Sequence, residues 1–127
     1  MVIWLTGQSK SGKTTLANKM KKWYEHTIVL DGDEVRKIWP GLGLTKEDRW
    51  EQNLRVARLA KHLSEQGFVV VVAVIAPYKE LRQQIRNITN CAFYYLTHNE
   101  FSDNPEYPYE SAYDEADVIV SRREECK

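Results

Sequence analysis

Cysteine is scarce in this chain, with only Cys91 and Cys126 among 127 residues. Two such thiols make neither a disulfide framework nor a metal-ligand spacing. Cys91 reads as a small core residue and Cys126 as an exposed thiol. Long apolar runs are missing as well. The longest, Phe68 to Ala76, has nine residues, about half of what a membrane-crossing helix needs. The first, Val2 to Leu5, has four and runs straight into a glycine loop, which matches neither a signal peptide nor a membrane span. No membrane partner and a cytoplasmic location are therefore expected. An excess of one charge is also absent, since 18 basic residues balance 18 acidic ones. General electrostatic attraction to nucleic acid is thereby excluded, and no nucleic-acid partner is expected. Repeats and low-complexity segments do not occur. A hydrophobic fraction of 43% and a charged fraction of 28% predict one globular domain over residues 1–127, long enough to bury its core without covalent staples.

Glycine is sparse too, yet two of the six fall in Gly7-Gln8-Ser9-Lys10-Ser11-Gly12-Lys13-Thr14. The octapeptide fits G-x-x-x-x-G-K-[ST], the phosphate-binding P-loop, and lies between an apolar strand-like run and a helical pattern, as that loop requires. Glycine backbones turn successive N–H groups toward an anion, and the following helix adds its positive end. Lys13 supplies a full charge near the β- and γ-phosphates, and Thr14 a hydroxyl for Mg²⁺. Residues Gly7 through Thr14, with Thr15, are the expected nucleotide site, and ATP with Mg²⁺ the expected cofactors.

The rest of the chain alternates strand and helix. Leu16, Ala17, Met20 and Trp23 recur on one helical face, opposite Lys19, Lys21 and Lys22. Thr27 to Leu30 reads as a buried strand ending in Asp31-Gly32-Asp33, on the edge where open α/β sheets bind ligands. A short helix is expected over Glu34 to Trp39, stopped by Pro40-Gly41. Thr45 and Asp48 form a capping box for the longest helix, which carries Trp50, Leu54, Val56, Ala57, Ala60 and Leu63 inward and ends at Gly67. Phe68 to Ala76 reads as the central strand. Tyr78 to Ile88 reads as a helix with Leu81, Ile85 and Ile88 inward and Arg82 and Arg86 outward. Ala92 to Leu96 is a fourth strand, Thr97 to Ser111 a long polar segment, and Asp117 to Val120 a fifth strand. His26, His62 and His98 read as surface residues. Crossovers of this kind predict an α/β fold, a three-layer α/β/α architecture with a parallel five-stranded sheet, and for a P-loop NTPase with a carboxylate strand the expected order is 2-3-1-4-5.

Several stretches, in order over residues 2–96, resemble adenylyl-sulfate (APS) kinase. They are Trp4-Leu5-Thr6-Gly7 with the P-loop, Leu30-Asp31-Gly32-Asp33-Glu34-Val35-Arg36, Leu42-Gly43-Leu44-Thr45 with Asp48-Arg49, and Ile75-Ala76-Pro77-Tyr78. The resemblance implies transfer of phosphate from ATP to the 3′-hydroxyl of APS, with Mg²⁺. It implies that Asp33 faces that hydroxyl, that Arg36 and Arg49 grip the acceptor's charged group, and that Ile75, Ala76, Pro77 and Tyr78 line the acceptor pocket. Gln52 and Asn53 are expected on the acceptor side with them. General chemistry agrees. Lys13 and the loop amides neutralise charge, Asp33 accepts the hydroxyl proton, Asp31 is placed for the metal's water shell, and guanidinium suits an anionic acceptor. At this level Asp31 and Asp33 also fit a capped turn, and Arg36 and Arg49 an ordinary helix surface.

The chain departs from the family pattern in four places. Gln8 and Lys10 alter the loop. Gln52 stands where the family's helix has Asn, and Leu54 where it has an arginine. Ala73-Val74-Ile75-Ala76 replaces Ser-Phe-Ile-Ser, removing an aromatic whose stacking on a base is worth ~1–3 kcal/mol. The family's basic lid is absent, and residues 97–111 contain no lysine or arginine before the Pro108-Tyr109-Glu110 that resembles the family's Pro-Tyr-Glu-Pro. These departures leave three readings open: an APS kinase, the same machinery on another nucleoside, nucleotide or sugar acceptor, and a nucleotide-binding protein with little transferase activity. A homodimer is compatible with all three. The P-loop reading predicts that MgATP at a hundredfold excess over Kd raises stability by ~2.7 kcal/mol, and that Lys13→Ala abolishes the corresponding shift in thermal melting.

Overall fold

A computed structural model describes residues 1–8, 10–98 and 108–121. Its elements are β1 (Val2–Thr6), α1 (Lys13–Trp23), β2 (Thr27–Asp31), α2 (Gly32–Ile38), α3 (Lys46–Glu65), β3 (Val69–Ala73), α4 (Lys79–Thr89), β4 (Ala92–Leu96) and β5 (Val118–Val120). The strands form one sheet in the order β2-β3-β1-β4-β5, parallel at every pairing, as the alternation predicted. Among the described residues no helix is long and apolar enough to cross a membrane.

Strand side chains alternate between faces, so β1 feeds two cores. Val2 and Trp4 pack with Val70, Val72 and Phe93 against Val56, Ala57 and Ala60 of α3 and Leu81 and Ile85 of α4. Ile3 and Leu5 pack with Val71, Ala73 and Leu96 against Leu16, Ala17 and Met20 of α1. A sheet buried on both faces needs near-continuous apolar strands, which is what β1 and β3 are. Cys91 is buried in the first of these cores, and His26, His62 and His98 are exposed. Cys126 lies outside the described residues.

Several boundaries differ from expectation by a few residues, and in three elements the reason is identifiable. The central strand ends at Ala73 rather than Ala76. Beyond it the chain bends through Ala76, whose φ is +51°, and side chains take the carbonyls that a longer ladder would have used. Trp4 Nε1 donates to Val74 O at 2.9 Å, Thr6 Oγ1 to Ile75 O at 2.5 Å, and Arg82 Nη1 to Ala76 O at 2.8 Å. The helix after β2 begins at Gly32, two residues earlier than expected, because the Asp31 carboxylate caps it by accepting from Asp33 N at 3.0 Å. The fourth helix runs from Lys79 to Thr89, one residue later than expected at each end, with Asn90 in the left-handed region as its cap.

Arg82 is the largest correction. It does not point outward but is buried, at 1% exposure. The chain at 110–115 passes over α4, and the guanidinium fork fills the space between them. Nε pairs with Glu115, Nη1 reaches Ala76 O, and Nη2 donates to Glu110 O at 2.7 Å and Ser111 O at 3.2 Å. One turn on, the half-buried Arg86 donates to Asp117 Oδ2 at 3.0 Å and Glu115 O at 2.9 Å. Asp117 also accepts from Phe93 N at 2.8 Å, and that backbone bond, with Arg86, holds its carboxyl below the usual carboxylate range. Truncating Arg82 strands several buried carbonyls at once. Arg82→Ala is expected to cost about 2–4 kcal/mol in urea unfolding, and Arg82→Lys to recover less than half, since an ammonium cannot span the fork.

Candidate functional site

The site begins with a loop that only glycine can close. Gly7 has φ +155°, and a Cβ there would lie 2.6 Å from the Leu96 carbonyl of β4. Gly12, at φ +100°, is the N-cap of α1 and offers no side chain to its amides. No acidic residue occupies the first turn, so the free N–H groups at that end stay available to an anion. Lys10 takes φ +66°, an uncommon left-handed conformation for a lysine, with its side chain exposed at the mouth.

Lys13 lies inside the loop it serves. Its Nζ donates to Gly7 O at 2.9 Å, Gln8 O at 2.7 Å and Ser11 Oγ at 3.2 Å. Burial lowers its pKa to about 8, although the nearby Asp31 carboxylate favours the charged form. Thr14 Oγ1 donates to Asp31 Oδ2 at 2.6 Å. That bond orients the hydroxyl so that its lone pairs remain for a cation beside the carboxylate. Two hard oxygen donors next to a phosphate loop are the donor type that Mg²⁺ prefers, and the pair fits that ion.

The cavity beside the loop has a volume of about 260 Å³, the lower end for small-molecule sites, so a nucleotide must extend past its mouth. From the loop side it is lined by Gln8, Lys10, Lys13 and Thr14, and from the end of β2 by Asp31, Gly32, Asp33 and Arg36. The α3 face adds Arg49, Gln52 and Asn53, and the chain after β3 adds Ile75 and Pro77. Twelve of the expected site residues thus meet on one cavity. Arg49, Gln52 and Asn53 meet it together because spacings of three and four place them on one helix face.

Six expected residues do not line the cavity. Gly7, Ser11 and Gly12 shape the loop from behind, and Thr15 lies on the exposed side of α1. Ala76 is fully buried and contributes its carbonyl to Arg82. Tyr78 turns away and stacks on Trp50, with ring centroids 5.6 Å apart, under the Lys46 ammonium. The positive φ of Ala76 reverses the chain between Ile75 and Tyr78 and explains why that stretch splits. Ser9 lies outside the described residues.

Sequence reasoning missed part of the cavity wall. Pro108 and Tyr109 line the cavity. The Tyr109 hydroxyl shares a 2.7 Å hydrogen bond with the buried Thr6 at the end of β1. Its ring stacks on Tyr95 at 5.8 Å and lies 5.2 Å from the Arg82 guanidinium. Burial pushes the phenol well above its usual range, so it stays neutral. The site is therefore not without an aromatic: one arrives from a distant part of the chain, where Val74 offers none. The Pro-Tyr-Glu stretch was the available signal, but nothing local to it points to the P-loop edge.

Sheet order, loop conformation and the Thr14–Asp31 pair define a P-loop NTPase fold. The chain belongs to the adenylylsulphate kinase family, whose model matches residues 1–104. It is 44% identical over 90 residues to a probable adenylyl-sulfate kinase of Archaeoglobus fulgidus, covering 67% of this chain and 58% of that one. It is 45% identical over 97 residues to the adenylyl-sulfate kinase of Paraburkholderia xenovorans, covering 72% and 54%. The chain thus spans little more than half the length of these curated relatives. The structure of the Mycobacterium tuberculosis APS kinase in complex with AMPPNP and APS superposes with a TM-score of 0.79 at 24% identity, covering 96% of this chain and 88% of that one, which shows a shared fold.

The lysine at the centre of the loop is expected to make nucleotide binding pH-dependent. Its free-state pKa is about 8; phosphate needs the ammonium, so the charged form is already present below that value and is lost above it. MgATP affinity is expected to be flat just below pH 8 and to fall up to about tenfold per pH unit above it. Isothermal titration calorimetry across that range checks this, and Lys13→Ala should leave only a weak, flat profile.

Proposed function

We propose that this chain transfers the γ-phosphoryl group of ATP to a hydroxyl of adenylyl sulfate or a related anionic nucleotide. The observation that carries the reading is that the phosphate-binding Lys13 and the Thr14–Asp31 pair open onto the same cavity as Asp33, Arg36 and Arg49. One set of groups suits a triphosphate, the other an anionic hydroxyl acceptor, and transfer needs both within one space. The family match and the names of the relatives support it. A cytoplasmic location, where ATP is available, goes with this reading.

In the proposed reaction the loop amides and Lys13 hold the β- and γ-phosphates. Arg36 and Arg49 pair with the acceptor's anionic group and align its hydroxyl with the γ-phosphorus. Asp33, exposed near the start of α2, takes the hydroxyl proton as the new O–P bond forms and the bond to the ADP oxygen breaks. Mg²⁺ bound beside Thr14 and Asp31 supplies neutralisation of charge on the phosphate oxygens. Pro108 and Tyr109 complete the cavity wall.

A second reading keeps the machinery and changes the acceptor. It is favoured by Val74, which stands on the cavity wall where the family pattern has an aromatic, and by the lack of lysine or arginine in residues 97–111. Both readings are tested by incubating the protein with MgATP and a panel of APS, nucleosides, nucleotides and sugar derivatives, with products read by mass. Asp33→Asn is expected to lower kcat by about 10²–10⁴-fold while retaining the MgATP-induced melting shift. With APS, kcat/KM is expected below ~10⁴ M⁻¹s⁻¹, with some ATP lost to hydrolysis. A higher value without hydrolysis would favour APS as the natural acceptor, and no phosphorylated product from any acceptor would overturn the kinase reading.

A further inference from the structure

Asn53 sits on α3 one turn beyond Arg49, on the wall of the cavity, and is 3% exposed. Its Nδ2 donates to the Arg49 carbonyl at 2.8 Å. That contact fixes which way the amide faces, because only the nitrogen can donate to a carbonyl. Oδ1 is thereby turned away from Arg49, and it is buried without a hydrogen-bond partner among the described residues. A carbonyl oxygen so placed carries its desolvation penalty in full until a donor reaches it.

Every charged group expected to hold an anion in this cavity is a donor: Lys10, Lys13, Arg36 and Arg49. The Asn53 oxygen can only accept, so it cannot bind phosphate or sulfate. What it can recognise is a neutral N–H or O–H. Of the residues that follow β3 on the cavity wall, the Val74 side chain is apolar and Pro77 has no N–H, so neither supplies that donor.

We propose that Asn53 is a specificity-determining residue whose Oδ1 receives an N–H or O–H donor on the uncharged part of the phosphoryl acceptor. The inference rests on the kinase reading above. It narrows the acceptor to an anionic molecule whose body carries an amino or hydroxyl group, as a nucleobase or ribose does. A site built to hydrogen-bond such a group discriminates more sharply than an apolar pocket, because its buried oxygen is left unpaired by the wrong ligand.

The test uses the full chain with Asn53→Leu and Asn53→Ala, and has two arms. In the ligand-free arm, replacing an unsatisfied oxygen is expected to leave the melting temperature unchanged or to raise it by up to about 5 °C for Asn53→Leu. A fall of that size in both variants would make the amide a structural one and overturn the proposal. In the binding arm APS, AMP and IMP are titrated by calorimetry in the presence of MgAMPPNP. Both variants are expected to bind MgAMPPNP as the wild type does and to lose about tenfold or more in affinity for AMP. A loss confined to APS and AMP assigns the donor to the exocyclic amino group, which IMP lacks, and an equal loss in all three assigns it to a donor that they share, as a ribose hydroxyl is. Unchanged affinity for all three in the variants overturns the proposal alone. Wild-type protein that binds MgAMPPNP but none of the three overturns both the proposal and the nucleotide-acceptor reading.

Discussion

The site depends first on how closely the backbone passes the end of β4 at Gly7. A side chain there would meet the Leu96 carbonyl at 2.6 Å, so no other residue lets the chain leave β1 on this path. The consequence reaches the whole cleft. Because β1 is a central strand, its loop is held by neighbours on both sides, and the loop carbonyls converge on the Lys13 ammonium instead of solvent. The lysine is thereby both positioned and partly desolvated, and burial is why its pKa drops to about 8. Position and basicity come from one constraint.

A second dependence runs through the carbonyls that follow β3. Val74, Ile75 and Ala76 leave the ladder, yet each of their carbonyls is satisfied by a side chain from another element. Trp4 and Thr6 come from β1 and Arg82 from α4. Unpaired, these groups would be costly at such depth, so the bent segment can exist only where the donors stand. The bend in turn presents Ile75 and Pro77 to the cavity while removing Ala76 and Tyr78 from it.

Arg82 and Tyr109 extend the same logic to the distal wall. Arg82 ties the chain at 110 and 111 to the carbonyl of Ala76, and Tyr109 bonds Thr6, whose own hydroxyl contacts Ile75. Segments more than thirty residues apart along the chain are joined through one buried cluster that borders the phosphate loop. Tyr109 presents its ring to that cluster and to the cleft together. The part of the wall that Tyr109 forms is therefore held by the same hydrogen bonds as the core, and its chemistry cannot change independently of the fold.

The sequence by itself determined the features that depend on neighbours a few residues apart. The glycine spacing and Lys13 specified the loop, apolar runs specified strands buried on both faces, and the i, i+3, i+4 spacing put Arg49, Gln52 and Asn53 on one face. The parallel pairing followed from the alternation and the handedness of crossovers, and the strand order from the class of fold that the P-loop marks. Only the tertiary structure decided what depends on long-range partners. Arg82 has the spacing of a solvent-facing residue and is buried because a distant segment supplies its acceptors. Tyr78 carried a family motif yet turns to Trp50, since the positive φ of Ala76 redirects the chain. Tyr109 reaches the cleft because Thr6, a hundred residues earlier, offers its hydroxyl. Local spacing sets which face a side chain occupies; which other segment covers that face is a property of the packed fold alone.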